Sequence, residues 1–269
     1  MRRHLVLLFV FLLLAACSPA LPAQLSANEP AGQLAPDNDS RVLFQPFLGR
    51  ALSWLVQQAG DNGLLKTGEE HAVRYRLQPD NVLARRVFHL ARGEAAELDL
   101  GDALSRYAVP SHGWWEVLDG TMMVWPPHAL AERLVEGDVW VEEATGPVIE
   151  QWEQQSELLF LAAVNAVNAG DGKAASAWYT AAMARFDGDG FDDGQVEVAG
   201  YSLRPLALAL IANARLGNHV DVRVVAALLA QQRPDGGFPF TYGAGSGDLA
   251  ANTEATALAA YALLVSRQE

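Results

Sequence analysis

The chain has 269 residues with 19 basic and 32 acidic side chains, a formal net charge of −13, and a single cysteine. So acidic a chain lacks the clustered Lys and Arg that nucleic acid or anionic lipid headgroups require, which argues against both as partners. One cysteine forbids an internal disulfide, and a chain of about 250 folded residues buries a sizeable core without staples.

At the N-terminus, Met1-Arg2-Arg3-His4 leads into a twelve-residue apolar run, Leu5–Ala16, and then Cys17. Two arginines ahead of so short a run predict a secretory signal peptide over residues 1–16. A membrane span needs roughly 20 apolar residues. Leu14-Ala15-Ala16-Cys17 resembles the lipobox of bacterial lipoproteins. That resemblance implies that Cys17 is lipidated, becomes the first mature residue and anchors the protein to a membrane of the cell envelope. The protein would face the periplasm or the exterior, at the outer membrane if the cell is Gram-negative. The alternative is ordinary cleavage after an Ala-x-Ala-like site such as Ala20–Ala23. Removal of Arg2 and Arg3 takes the net charge from −13 to −15. Residues 17–40, rich in Ala, Pro, Ser, Asn and Gln, read as a flexible tether.

Residues 41–269 read as one all-α domain. Phe44, Phe47, Leu48, Ala51, Leu52 and Leu55 form one helical stripe, with Ser40 as its expected N-cap. Asp80 and Asn81 begin a helix beside Pro79. Between His112 and Trp125 the helical pattern breaks. Trp114–Leu118 and Thr121–Trp125 flank Asp119-Gly120, which predicts a small β-hairpin. Thr145-Gly146-Pro147 is expected to open a long helix carrying Trp152, Leu159, Ala163 and Ala166, closed by Gly170-Asp171-Gly172. A further helix is expected over about Lys173–Arg185. Three more start at Pro205, after the cap Asp221, and near Asn252-Thr253.

One unit recurs along the chain. Helix ends at Gln58, near Trp178 and at Gln232 precede Asp61-Asn-Gly-Leu64, Asp189-Gly-Phe191 and Asp235-Gly-Gly-Phe238. Two of the following helices enter through Tyr75-Arg-Leu-Gln-Pro79 and Tyr201-Ser-Leu-Arg-Pro205. This recurrence implies a helical repeat. Gln231–Phe238 followed by Asn252–Tyr261 resembles the repeats of the α/α toroids, the superfamily of triterpene cyclases, protein prenyltransferase β subunits and complement thioester domains. The resemblance implies a ring of outer and inner helix pairs, a partial one here because fewer than twelve helices are recognisable. It implies none of those three activities. The zinc site of the prenyltransferases and the thioester both need a cysteine inside the ring, and Cys17 lies outside it. The acidic Asp187–Asp193 segment aligns with a repeat turn, not with the cyclases' acid motif.

The candidate sites follow from these elements. Asp187, Asp189 and Asp193 have part of the spacing of an oxygen-rich calcium loop, against the plainer reading of turn chemistry. Trp114, Trp115 and Trp125 either form an aromatic platform for a ligand or pack the insertion onto the ring. Asp80 and Glu254 begin helices that a toroid would turn toward its cavity. They are either an acid–base pair or ordinary caps. Tyr75, Tyr201, Asn81 and Asn252 at the same helix entrances are further ligand-binding candidates. Histidines show no metal-ligand spacing, and no other cofactor signature is present. Two functions are therefore expected: a ligand- or partner-binding module of the envelope, for a small molecule, glycan or protein, and alternatively a carbohydrate-active enzyme. Burial of Asp80 and Glu254 in one cavity, roughly 5–10 Å apart, would favour the enzyme, and exposure of both as caps would favour the module.

Overall fold

The computed structural model describes residues 39–67, 76–107, 114–192, 200–243 and 249–267, with side chains from Phe44 onward. The signal peptide, Cys17, most of the tether, Tyr75 and Asp193 lie outside the described residues. Phe44–Glu269 forms one compact unit.

Among the described residues there are eight α-helices: α1 (Asp39–Gln57), α2 (Gln78–Leu90), α3 (Glu94–Ser105), α4 (Ser156–Asn168), α5 (Gly172–Met183), α6 (Arg204–Arg215), α7 (Val222–Ala230) and α8 (Thr253–Val265). Their burial divides them. From Thr253 to Leu264 every residue of α8 is buried, as is Pro205–Asn213 of α6 and most of Ser156–Val164 of α4. By contrast α5 buries only Ala175 and Ala182, and α7 buries Val224, Val225 and Leu228. A helix apolar all round sits inside, and one with a single stripe sits outside. The even-numbered helices are accordingly central: α2 packs on α8, α8 on α6, and α6 on α4. Odd-numbered helices flank them, with α3 on α2, α5 on α4 and α7 on α6.

Local chemistry explains most boundaries. Pro79 and Pro205 stand in the first turns of α2 and α6, where the missing N–H costs nothing. Asp171, Asp221 and Asn252 each accept a backbone N–H from the first turn of the helix that follows. The repeat turns are Asx turns. Asn62, Asp187 and Asp235 accept the N–H two residues on, across Gly63, Gly188 and Gly236, all at positive φ. Gly236 has a second reason to be glycine: a Cβ there would lie 2.5 Å from the Arg50 carbonyl oxygen. Each turn then buries a large apolar residue, Leu64, Phe191 or Phe238.

Three expectations are corrected. Trp114–Asp119 is a 3₁₀ helix, not a hairpin strand, and Gly120 ends it at φ +85°. Inward packing of Trp115, Val117 and Leu118 selects that geometry over an extended one. The hairpin lies further on, β2 (Ala131–Glu136) with β3 (Val139–Glu143) around Gly137-Asp138, and β3 also pairs in parallel with β1 (Arg76–Leu77). The helix expected from Pro147 starts only at Ser156, after a separate 3₁₀ turn at Trp152–Gln154. Ser40 is the second residue of α1 and not its cap.

Two-residue ladders hold the helix entrances. β4 (Tyr201–Ser202) pairs with β6 (Thr241–Tyr242), and β5 (Phe238–Pro239) with β7 (Ala251–Asn252). The insertion between α3 and α4 bridges the remaining interval: β3 packs on α2 and the 3₁₀ helix packs on α4. Asn165 brackets Met123, donating to its carbonyl at 3.1 Å and accepting its N–H at 2.8 Å, while Asn168 donates to the Val117 carbonyl at 2.8 Å.

Candidate functional site

The central helices bring their first residues together. Asp80 is third in α2, Glu157 second in α4, Arg204 first in α6 and Glu254 second in α8. Arg204 is the hub. Its Nε donates to Glu254 Oε1 at 2.6 Å and its Nη2 to Glu254 Oε2 at 2.8 Å, while Nη1 reaches Glu157 Oε1 at 3.3 Å. The guanidinium lies 4.6 Å from the Phe240 ring centroid and 5.6 Å from that of Trp115, within cation–π range of both. Burial works against the charge of Arg204, but Glu254 and Glu157 outweigh it and raise its pKa, so it stays protonated. The positive ends of the helix dipoles favour carboxylates at these same positions.

Asp80 is only 1% exposed. Its Oδ2 is buried without a hydrogen-bond partner. Burial first, then the nearby charges of Glu254 and Glu142, push its carboxyl well above the usual range, against the smaller pull of Arg204 and a Thr67 hydrogen bond. Asp80 therefore holds its proton more tightly than an ordinary aspartate. Glu142, contributed by β3, is half-buried and is pushed up to about 7 by burial and by Glu254. Glu254 is itself 5% exposed. The arginine side chain retains 19% exposure, so the cluster reaches solvent on that side.

The sequence candidates separate in space. Asp80 and Glu254 meet in this cluster, and Trp115 stands beside its arginine. Asn81 is fully buried and spent on backbone: its Nδ2 donates to the Leu77 and Leu65 carbonyls, and its Oδ1 accepts the Leu65 N–H at 2.7 Å. Asn252 caps α8 through the Ala255 N–H. The three tryptophans share no platform. Trp114 donates to the His128 carbonyl, while Trp125 stacks edge-on against Trp152 at 5.1 Å, which meets Trp178 at 5.1 Å. Tyr201 donates to Asp187 Oδ2 at 2.5 Å. Asp187 Oδ1 accepts the N–H groups of Asp189 and Gly190, so both its oxygens serve the turn. No group of three acidic, histidine or cysteine side chains suited to a metal ion occurs among the described residues.

Two members of the cluster had weak sequence signals. Arg204 stood inside the recurrent Tyr-x-Leu-x-Pro entrance, where Gln78 occupies the matching position in the earlier copy. Glu142 was hidden because the hairpin was expected one segment early. With the turn at Gly137-Asp138, the alternation Val139, Val141 inward would have pointed Trp140 and Glu142 to the other face. Among the described residues no helix is long and apolar enough to cross a membrane. The chain matches no family model, and no curated protein is similar to it in sequence.

Proposed function

We propose that this is an envelope lipoprotein, anchored through Cys17, whose helical domain is a four-pair α/α ring performing acid–base chemistry on a neutral glycan. The observation that carries the catalytic reading is a buried Asp80 whose carboxyl is pushed up by burial and by the charges of Glu254 and Glu142, with Glu142 itself pushed up to about 7, around the Glu254–Arg204 ion pair. Environments that push carboxyl pKa values to different levels in one site divide the roles of acid and base. In this reading Asp80 supplies the proton for the leaving glycosidic oxygen, which requires the cluster to open on its Arg204 side because Asp80 itself is 1% exposed. Glu142, deprotonated, takes the proton of the attacking water. Glu254 has both oxygens on Arg204, so it positions the site and lends negative charge to an oxocarbenium-like transition state. A uronic acid substrate fits badly, because Arg204 is already shared by two glutamates and the other charges are acidic. This favours hydrolysis of neutral sugars over elimination from uronates.

The ring reading is supported by the side-by-side order of α4, α6, α8 and α2 and by the insertion bridging α2 and α4. The lipoprotein reading rests on Leu14–Cys17 and is tested by labelled palmitate: incorporation by the intact protein and its loss in Cys17→Ala. Equal labelling of both would overturn it. The catalytic reading is tested by reducing-end release from a panel of neutral glycans by the full-length protein in detergent. Release that Asp80→Asn and Glu142→Gln each reduce by about 10²-fold or more supports it. Saturable binding with no release from any glycan returns the domain to the role of a binding module.

A further inference from the structure

We propose that a second site, a groove between the Asp187–Phe191 turn, the β4–β6 ladder and α7, binds a neutral saccharide chain through Tyr201, Tyr242, Asp189 and Gln231. The groove has a volume of about 380 Å³, within the range of small-ligand sites, and none of its lining residues belongs to the Arg204 cluster. Tyr201 and Tyr242 form its aromatic wall, their ring centroids 5.5 Å apart and tilted by 34°. Ala227 and Ala230 of α7 supply an apolar floor.

The polar atoms of this groove are one-sided. Both tyrosine hydroxyls donate inward, Tyr201 to Asp187 Oδ2 and Tyr242 to the Asp189 carbonyl at 2.9 Å, so the rings are fixed and their donors are spent. The hydrogen bond to Asp187 raises the Tyr201 hydroxyl to about 12 and holds it protonated. Gln231 commits its Nε2 to the Ala227 carbonyl at 3.1 Å, which leaves Oε1 as an acceptor. The Asp189 side chain is exposed, and its carboxylate is a second acceptor. A ligand for such a surface brings an apolar face for the rings and several donors for the rim, the chemistry of a sugar ring. Asp187, Asp189 and Asp192 repel an anionic sugar. A backbone detail pre-forms the wall: Gly190 lies so close that a Cβ would sit 2.5 Å from Cγ of Tyr201 and 2.6 Å from the Tyr242 hydroxyl.

The test uses the full-length protein carrying Asp80→Asn, so that turnover does not consume the probe, titrated with maltohexaose and with cellohexaose. The expected result is saturable binding of at least one hexaose that Asp189→Ala and Gln231→Ala each weaken about tenfold and that their combination removes, at an unchanged thermal midpoint. Identical isotherms for the double variant and its parent, or no saturable binding of either hexaose at millimolar sugar, would overturn the proposal. The outcome is separable from the catalytic reading. Glycan release is read separately on the protein with Asp80 intact: binding lost in the groove variants while that release persists condemns neither, binding with no release by the Asp80-intact protein condemns only catalysis, and release with an unaltered isotherm condemns only the groove.

Discussion

The two ends of the central helices solve opposite problems with similar residues. At their starts, Arg204 serves two glutamates while Asp80 keeps an unpartnered buried oxygen and Glu142 an abnormal pKa. Toward their far ends most polar groups are matched, although the Ser266 hydroxyl at the close of α8 is buried without a partner. The Leu118 carbonyl accepts from Arg215 at 2.6 Å and from the Tyr261 hydroxyl at 3.2 Å, and Arg86 pairs with Asp119 and lies over the Tyr261 ring at 5.2 Å. One end pairs its charges and holds the 3₁₀ insertion in place. The other leaves electrostatic conflict uncompensated, which costs stability and is the usual mark of a site.

The comparison is broken most directly at Arg204. Arg204→Met should destabilise the fold by about 3–5 kcal/mol in urea unfolding, since Glu254 and Glu157 are left without their cation. A loss below about 1 kcal/mol would mean that the cluster is solvated and carries no special strain. Asp80→Asn probes the same end from the other side. It removes a carboxyl whose ionised form burial and its acidic neighbours already disfavour, so glycan release should fall by about 10²-fold or more while the thermal midpoint holds or rises.

The pH dependence sharpens the contrast. Glu142 goes from an ordinary 4.5 to about 7 on folding, so the native state holds its proton more tightly than the unfolded chain between those values. Stability from this group is fully present below about 4.5 and is lost as pH rises through about 7, and Asp80 acts in the same direction. Urea midpoints should therefore fall from pH 5 to pH 8, and Glu142→Gln should flatten the slope. Asp187 and Asp221, whose pKa values are lowered by hydrogen bonds from Tyr201 and Arg223, oppose this only at pH below about 4. At the matched end, Tyr261→Phe should cost only about 0.5–1.5 kcal/mol, because Arg215 still satisfies the Leu118 carbonyl.

The parts of this chain that follow local rules were legible from sequence. Pro205, Asp221 and Asn252 mark the starts of α6, α7 and α8 because a cap or an N-terminal proline acts within three residues of itself. The insertion was not legible. Asp119-Gly120 offers the same turn chemistry to a hairpin and to the end of a 3₁₀ helix, and the choice was made by distant partners: Asn165 on Met123, and Asn168 and Arg215 on the 3₁₀ carbonyls. β2 is exposed along almost its whole length, so it carries no alternation to read. α3 escaped notice because it buries only Leu100 and Ala103. Within the site, Asp80 and Glu254 stood out as helix entrances. Their meeting through Arg204, 50 residues from Glu254, needed the fold.

The closing position of α8 has a consequence for how the domain is made. The Thr253 N–H bonds the Thr67 carbonyl at 2.8 Å, its hydroxyl donates to the Lys66 carbonyl, and Glu254 completes the arginine hub. Contacts that span 187 residues cannot form while the intervening chain is still being synthesised or threaded through a pore. The central helix most completely wrapped by its neighbours, α8, thus docks only after residues 66–67 and the intervening helices have been made, and until then the apolar flanks that it covers are bare.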